Sequence, residues 1–190
     1  GDADAFRQSC RVIEGHLEEG KGLVVVVSAM AGVTNQLHDA YNCAVGGDID
    51  QSIQLVDKMR EQHMEVLHRL AGTEAAKPVK EGIEHVTTEE REVLQALSLL
   101  KVDQPQFRDR VVAVGERMSS LLIGACLQNM HIPVCVIDAG QVMKTDSKFG
   151  DSNPNFELTA NRTIEVVLPQ LEEGKIVVIG GYYGTDASGK

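Results

Sequence analysis

No stretch of this 190-residue chain approaches the roughly 18 apolar residues that a membrane-spanning helix needs. The first residues, Gly1-Asp2-Ala3-Asp4, lack the basic-then-apolar order of a secretory signal. Cysteine is scarce and scattered: Cys10, Cys43, Cys126 and Cys135 form no CxxC and read as buried thiols in a reducing cytoplasm. Basic charge is also short. Eighteen Lys and Arg against 28 Asp and Glu leave a formal charge of −10, which argues against non-specific nucleic-acid binding through basic patches. A nucleotide ligand is not excluded, because backbone N–H groups, helix N-termini and a few cations suffice to hold phosphates. His63 and His68 are five apart and do not share a helix face, which argues against a metal pair. There is no Ser-His-Asp or Cys-His constellation, no internal repeat and no low-complexity linker.

What is present suits a globular chain: 43% hydrophobic and 24% charged residues, enough for one well-packed domain. Phe6, Cys10, Ile13 and Leu17 mark a helical stripe over residues 5–18, with Asp4 as N-cap and Gly20 or Gly22 as stop. Leu23-Val24-Val25-Val26-Val27-Ser28 then reads as a strand buried on both faces. Ala29 to Asn35 turns into a helix near Asn35 to Cys43. Further strands are expected at Val134 to Ala139 and Lys175 to Ile179, each after a helix, at Glu116 to Asn129 and Phe156 to Leu171. Pro169 should bend or end the latter early. This alternation indicates an α/β fold, an open and mostly parallel sheet sandwiched by helices. Between Gly46 and Gln106 the pattern is helical instead. Ile53, Val56, Met59, His63, Val66 and Leu70 recur at threes and fours, followed by Val93, Leu94, Leu97 and Leu100. We read an insertion of two or three helices packed on one sheet edge, with His63 as a core histidine and the carboxylates on a solvated face.

In open α/β folds ligands bind beyond the C-terminal strand ends. That rule selects three loops: Ser28 to Asn35, Ala139 to Asp151 and Gly180 to Lys190. Small residues at Ala29, Ala31 and Gly32 allow close backbone approach, and the following helix presents N–H groups to an anion. Ser28 and Thr34 add hydroxyls, although Ser28 also suits a strand end and Thr34 a helix cap. Glu116 reads either as a first-turn carboxylate favoured by the helix dipole or as an acceptor for a substrate ammonium. Gly184-Thr185-Asp186-Ala187-Ser188-Gly189-Lys190 fits the phosphate-loop pattern GxxxxGK, and Asp186 to Gly189 fits a hairpin turn equally well.

Four blocks resemble a family, the aspartate kinases of the amino-acid kinase superfamily. Val25 to Leu37 is similar to VVVSAMxGVTNxL, and Gly115-Glu116-Arg117-Met118-Ser119 to GERxS. Val142 to Gly150 is similar to the TDxxFG segment, and Glu173 to Gly184 to EGxxxVxxGFxG. The long helical insertion resembles the branch that includes lysine-sensitive enzymes. Tyr182 stands where the family has Phe, and Tyr183 where an aliphatic residue is common.

The resemblance implies ATP-dependent phosphorylation of the β-carboxylate of L-aspartate, the first step toward lysine, threonine and methionine. ATP and Mg²⁺ would be the cofactors, and neither nucleic acid nor a membrane a partner. It implies that Ser28, Thr34 and Glu116 bind substrate, Glu116 through the α-ammonium, and that Gly181 and Gly184 shape the floor near the phosphates. The family's KFGGTSV and TTLGRGGSD blocks are not in this sequence. Residues 1–190 are therefore expected to form a partial kinase domain, the substrate-binding half, with its helical insertion at about 46–106. The nucleotide-binding half and regulatory ACT domains lie outside it, the full-length protein is expected to dimerise, and the segment alone is expected not to turn over. Two rivals stand: a glutamate or acetylglutamate type of amino-acid kinase, and a non-catalytic ligand-binding α/β module.

Overall fold

A computed structural model of the chain describes residues 3–17 and 21–190. In chain order the elements are α1 (Ala3–Gly15), β1 (Val24–Val27), α2 (Val33–Gly46), α3 (Ile49–Leu70), α4 (Thr73–Leu100), α5 (Pro105–Asn129), β2 (Val134–Ile137) and α6 (Ala139–Val142). They continue with α7 (Phe156–Arg162), a π-helical segment (Thr163–Val167), α8 (Leu168–Glu172) and β3 (Ile176–Gly180). The strands form one parallel sheet in the order β1-β3-β2, with Val24 opposite Val177 and Val134 opposite Ile176. The α/β class and the parallel sheet match the sequence reading.

The apolar stripe of α1 buries Phe6, Cys10 and Ile13 as expected, but the helix stops at Gly15 and leaves Leu17 43% exposed. Glycine is a poor helix former, by about 1 kcal/mol against alanine, and among the described residues nothing lies within 4 Å of where a Cβ on Gly15 would be. Asp4 lies inside the first turn rather than at the cap. Gly20, one of the two expected stops, is outside the described residues.

α5 departs most from the sequence reading. It does not open at Glu116. It starts at Pro105, where a missing N–H costs nothing, and runs straight through Val111 to Val114. The valines favour a strand only weakly. Here they are held helical by burial on several sides, with the sheet against one face of α5 and α2, α3 and α4 against others. By length and composition α5 is able to cross a membrane, yet 78% of that stretch is buried inside the fold, which makes it the central core helix.

The insertion consists of α3 and α4. It packs on α2 and α5 as a helical bundle, not on a sheet edge. Val56, Met59, Val66 and Leu70 from α3 meet Val79, Ile83, Val86, Leu94 and Leu97 from α4 in one core. His63 is fully buried in it, its Nδ1–H donating to Met59 O at 2.8 Å, while its Nε2 has no partner among the described residues. Its carboxylates do not all lie on a solvated face: Glu90 is only 2% exposed.

The sheet is sandwiched only in part. Central β3 is buried on both faces, with α5 on one side and Val142, Val167 and Leu171 on the other. β1 is an edge strand. Val25 and Val27 face the α5 core, while Val24 and Val26 are 42% and 67% exposed, so burial on both faces does not hold for it. Pro169 does not end the helical stretch early, which runs on to Glu172. The turn before Pro169 is π-helical, with Leu168 N–H reaching back to Thr163 O, and the proline falls in the first turn of α8, where no donor is missed.

Candidate functional site

The site forms where the C-terminal ends of β1 and β3 meet the middle of α5. Parallel strands end side by side, so Gly181 N–H donates to Val27 O (2.7 Å) and the loops after both strands leave from one edge. α5 passes close beneath because residue 115 is glycine: a Cβ there would lie 2.7 Å from the Cβ of Ala29. That approach lifts the next side chain, Glu116, into the edge.

Glu116 is 3% exposed. Its Oε1 accepts the Ala29 N–H at 3.3 Å, and the Ser28 hydroxyl also donates to the carboxylate. Burial pushes its pKa above the ordinary value, and bonds from its own N–H, Ala29 and Ser28 pull the other way. Glu116 is in the middle of a helix, so the helix dipole does not explain its presence. A buried carboxylate with only partial compensation is suited to receiving a cation.

Ser28 and Glu116, two of the sequence-selected residues, are thus in contact. Thr34 lies in the first turn of α2. It does not cap that helix: Gly32 is the N-cap, at φ 82° and without a side-chain bond. Thr34 is half-buried at the start of α2, the end of a helix at which an anion would be received.

The two glycines have different surroundings. A Cβ on Gly181 would come within 3.2 Å of Val26 Cγ1 and 3.3 Å of Val27 O. One on Gly184 would lie 2.7 Å from Met143 O. Gly184 therefore sits across the edge, against the segment that bridges Lys144 to Thr185. Both glycines let loops approach each other, and the Gly181 N–H is already taken by Val27.

The GxxxxGK segment closes on itself. Asp186 N–H donates to Lys190 O (2.8 Å), and the Asp186 carboxylate accepts from Ser188 N–H (2.9 Å), Ser188 Oγ (2.7 Å) and Lys190 N–H (3.0 Å). The Ser147 hydroxyl adds a fourth donor at 2.9 Å. The Lys190 N–H, with the Ser188 and Ser147 hydroxyls, holds the carboxyl down at about 2. Donors that a phosphate loop would offer to a ligand are spent on Asp186, so the hairpin reading stands. Asp146 plays a similar part, gathering Asn153 Nδ2 (3.0 Å), Asn153 N–H (3.1 Å) and Lys148 N–H (3.2 Å) to shape the loop after β2.

Sequence reasoning missed three residues. Asp138, at the end of β2, accepts Gly140 N–H at 2.8 Å and pairs with Arg117 at 3.3 Å. The Tyr183 hydroxyl accepts Ala139 N–H at 3.2 Å and bonds to Asp138, and burial raises its pKa. Asp138 falls just before the loop that the strand-end rule selected at Ala139 to Asp151, and Arg117 adjoins Glu116 in sequence. Tyr183 lies in the selected loop Gly180 to Lys190 and departs from the aliphatic residue common in the family, but neither signal gave it a role. Tyr182 beside it is 94% exposed and stands at φ 67°, a conformation that costs a non-glycine residue roughly 1–2 kcal/mol.

Two concavities lie near this region or on the insertion. One of about 300 Å³ borders Ala31 and Gly32, with Gln36, Asp39 and Lys58 on its wall. The other, about 850 Å³, is an open groove between α3 and α4 around Ile49, Gln95 and Leu99, and contains no site residue. The strand-end geometry, not volume, marks the site. Among the described residues no three His, Cys, Asp or Glu side chains are grouped so as to hold a metal ion.

The profile of the family described as "Amino acid kinase family" matches residues 1–190. The chain is 28% identical over 189 residues to lysine-sensitive aspartokinase 3 of Escherichia coli K12 and 30% identical over 190 residues to an aspartokinase of Chlamydia trachomatis serovar D. It spans 39% of the length of each of these relatives. Its structure is similar to that of E. coli aspartokinase III in complex with aspartate and ADP, at a TM-score of 0.86 and 27% identity, covering this chain entirely and 40% of that one. The complex of the same enzyme with lysine and aspartate matches at 0.82 and 26%.

Proposed function

We propose, starting from this chain's membership of the amino acid kinase family, that it is the aspartate-binding part of an ATP-dependent aspartate kinase. The reaction is transfer of a phosphoryl group to the β-carboxylate of L-aspartate, giving 4-phospho-L-aspartate. The observation that carries this reading is Glu116, a buried carboxylate at the strand ends, held by Ser28 and the Ala29 N–H. The aspartate and ADP bound by a solved relative are consistent with it.

Glu116 receives the α-ammonium of aspartate. The cation repays the desolvation of the carboxylate and keeps it ionised. Ser28 orients that carboxylate, and Thr34 with the first turn of α2 receives a carboxylate of the substrate. The acceptor is already ionised at neutral pH, with a reference pKa of about 3.9, so no general base is required. Catalysis then rests on positioning and on charge neutralisation. ATP, carried with Mg²⁺, supplies the phosphoryl group when bound. Gly181 and Gly184 serve it by shape, drawing the loops together to make the floor, since the Gly181 N–H is not free to donate. The chain spans 39% of its curated relatives, and the proposal includes no turnover by these 190 residues alone. The full-length protein is proposed to be a soluble homodimer, with nucleotide contacts from outside this chain.

Calorimetric titration of the chain with aspartate, glutamate and N-acetylglutamate tests this. Aspartate is expected to bind best, and Glu116→Gln to weaken it by roughly 30-fold or more, as for truncating a buried charge pair. Equal binding of N-acetylglutamate, which has no ammonium, or an unchanged affinity in the Gln variant would overturn the assignment.

A further inference from the structure

We propose that Arg117 is a positioning residue that ties the helical insertion to the candidate substrate pocket. Glu89 on α4 holds its guanidinium, the guanidinium holds Asp138, and Asp138 fixes the loops that follow β2 and β3. This inference rests on the substrate-site reading above for its functional half only.

The links are continuous. Arg117 Nη1 lies 3.5 Å from Glu89 Oε2, and Nε lies 3.3 Å from Asp138 Oδ2. The other Asp138 oxygen accepts Gly140 N–H at 2.8 Å, which caps α6. The Tyr183 hydroxyl bonds to Asp138 and accepts Ala139 N–H at 3.2 Å, so the loops after β2 and β3 are joined through one carboxylate. Tyr183 in turn backs the pocket. Its ring lies over Gly180, where a Cβ would come within 2.8 Å of Tyr183 Cε1 and 3.1 Å of Glu116 Cβ. The path from α4 therefore ends against the residue that carries the proposed function.

Two features make Arg117 the joint rather than a surface ion pair. Its side chain, like those of Glu89 and Asp138, is only about a third exposed (32%, 35% and 38%), so solvent screens the contacts incompletely. The neighbouring Glu90 does not compete for it. Glu90 is buried beside Arg110 and Arg117, and burial keeps it largely protonated at neutral pH. The countercharges of Arg117 are then Glu89, from the insertion, and Asp138, from the pocket edge. α4, which otherwise packs on α2, α3 and α5, acquires through Arg117 a connection to the loop after β2.

The test uses Glu89→Gln, an isosteric change outside the pocket, together with Arg117→Met and Arg117→Lys. Amide hydrogen exchange is followed at Ala139 and Gly140, with Val178 in the core as reference. Glu89→Gln is expected to speed exchange at both amides about two- to fivefold, Arg117→Met at least as much, and Arg117→Lys to restore part of the protection, with Val178 unchanged. Unchanged exchange in Glu89→Gln and Arg117→Met would overturn the connection. Aspartate titration of the same proteins tests positioning. A two- to fivefold loss of affinity in Glu89→Gln supports it, and altered exchange with an affinity equal to the parent chain refutes it. If the parent chain itself binds no aspartate, the substrate assignment falls, while the exchange data still decide the coupling.

Discussion

Glu90 yields a prediction whose size follows from its setting. It lies on α4 between Val86 and Leu94, 2% exposed, with one carboxyl oxygen buried and unpartnered. Burial raises its pKa from 4.5 to about 8 despite Arg110 and Arg117, and Glu89 adds to the rise. The folded pKa is above the unfolded one, so the contribution of Glu90 to stability is fully present below about 4.5 and is lost as pH rises toward 8. Each pH unit in that window is worth about 1.4 kcal/mol. At pH 7 the unfolded carboxyl is ionised and the folded one is not, which costs folding about 3 kcal/mol. Glu90→Gln keeps the shape and removes the titration. Any constant penalty from the amide is independent of pH, so the slope is the signal. In urea unfolding from pH 4 to 9, the Gln variant is expected to gain on the parent by about 1.4 kcal/mol per pH unit between 5 and 8, then level off. A difference that stays flat across that range would refute the reasoning.

Three further predictions are independent of it. Gly180→Ala drives a methyl between Tyr183 and Glu116 and is expected to cost about 1–3 kcal/mol in urea unfolding, with loss of aspartate binding in calorimetry. Met59→Ala empties a fully buried position in the bundle and is expected to cost about 2–5 kcal/mol while leaving aspartate affinity intact. Asp186→Ala releases the N–H groups of Ser188 and Lys190, whose exchange is expected to accelerate at pH 7 while Val178 stays protected.

Strands and short helices were legible because their signals are local. The valine run at 24–27, the stripe of α1 and the proline at 169 each act within a turn or two, and each left the trace its chemistry demands. What failed depends on partners far away in sequence. Val111 to Val114 resembles a lead-in to a helix, and only the bundle and the sheet packed around it show why it is helical. Val26 is exposed because it lies on an edge strand with nothing described above it, a matter of strand order that periodicity does not encode. Glu90 had a readable sign, since it shares the register of Val86, Leu94 and Leu97, but its charge suggested solvent. At the site, Ser28 and Glu116 were selected by motif, and their contact follows from Gly115, whose part in the motif becomes physical only when Ala29 is seen packed against it. Asp138 and Tyr183 required the fold, because a bond between loops 45 residues apart is set by the sheet alone.

The strand order also dictates a sequence of events during synthesis. Among the described residues β1 pairs only with β3, and Val24 meets Val177. On a ribosome adding about 5–20 residues per second, the valine-rich strand waits roughly 8 to 30 s before its partner exists. α2 to α5, contiguous from Val33 to Asn129, have each other to pack against throughout that interval. The bundle is thus the part able to assemble early, with α5 offering the surface on which the sheet is later laid. Until β3 emerges, β1 lacks this partner strand, and the apolar run of Val24–Val27 is exposed to misassociation until Ile176–Gly180 has been made.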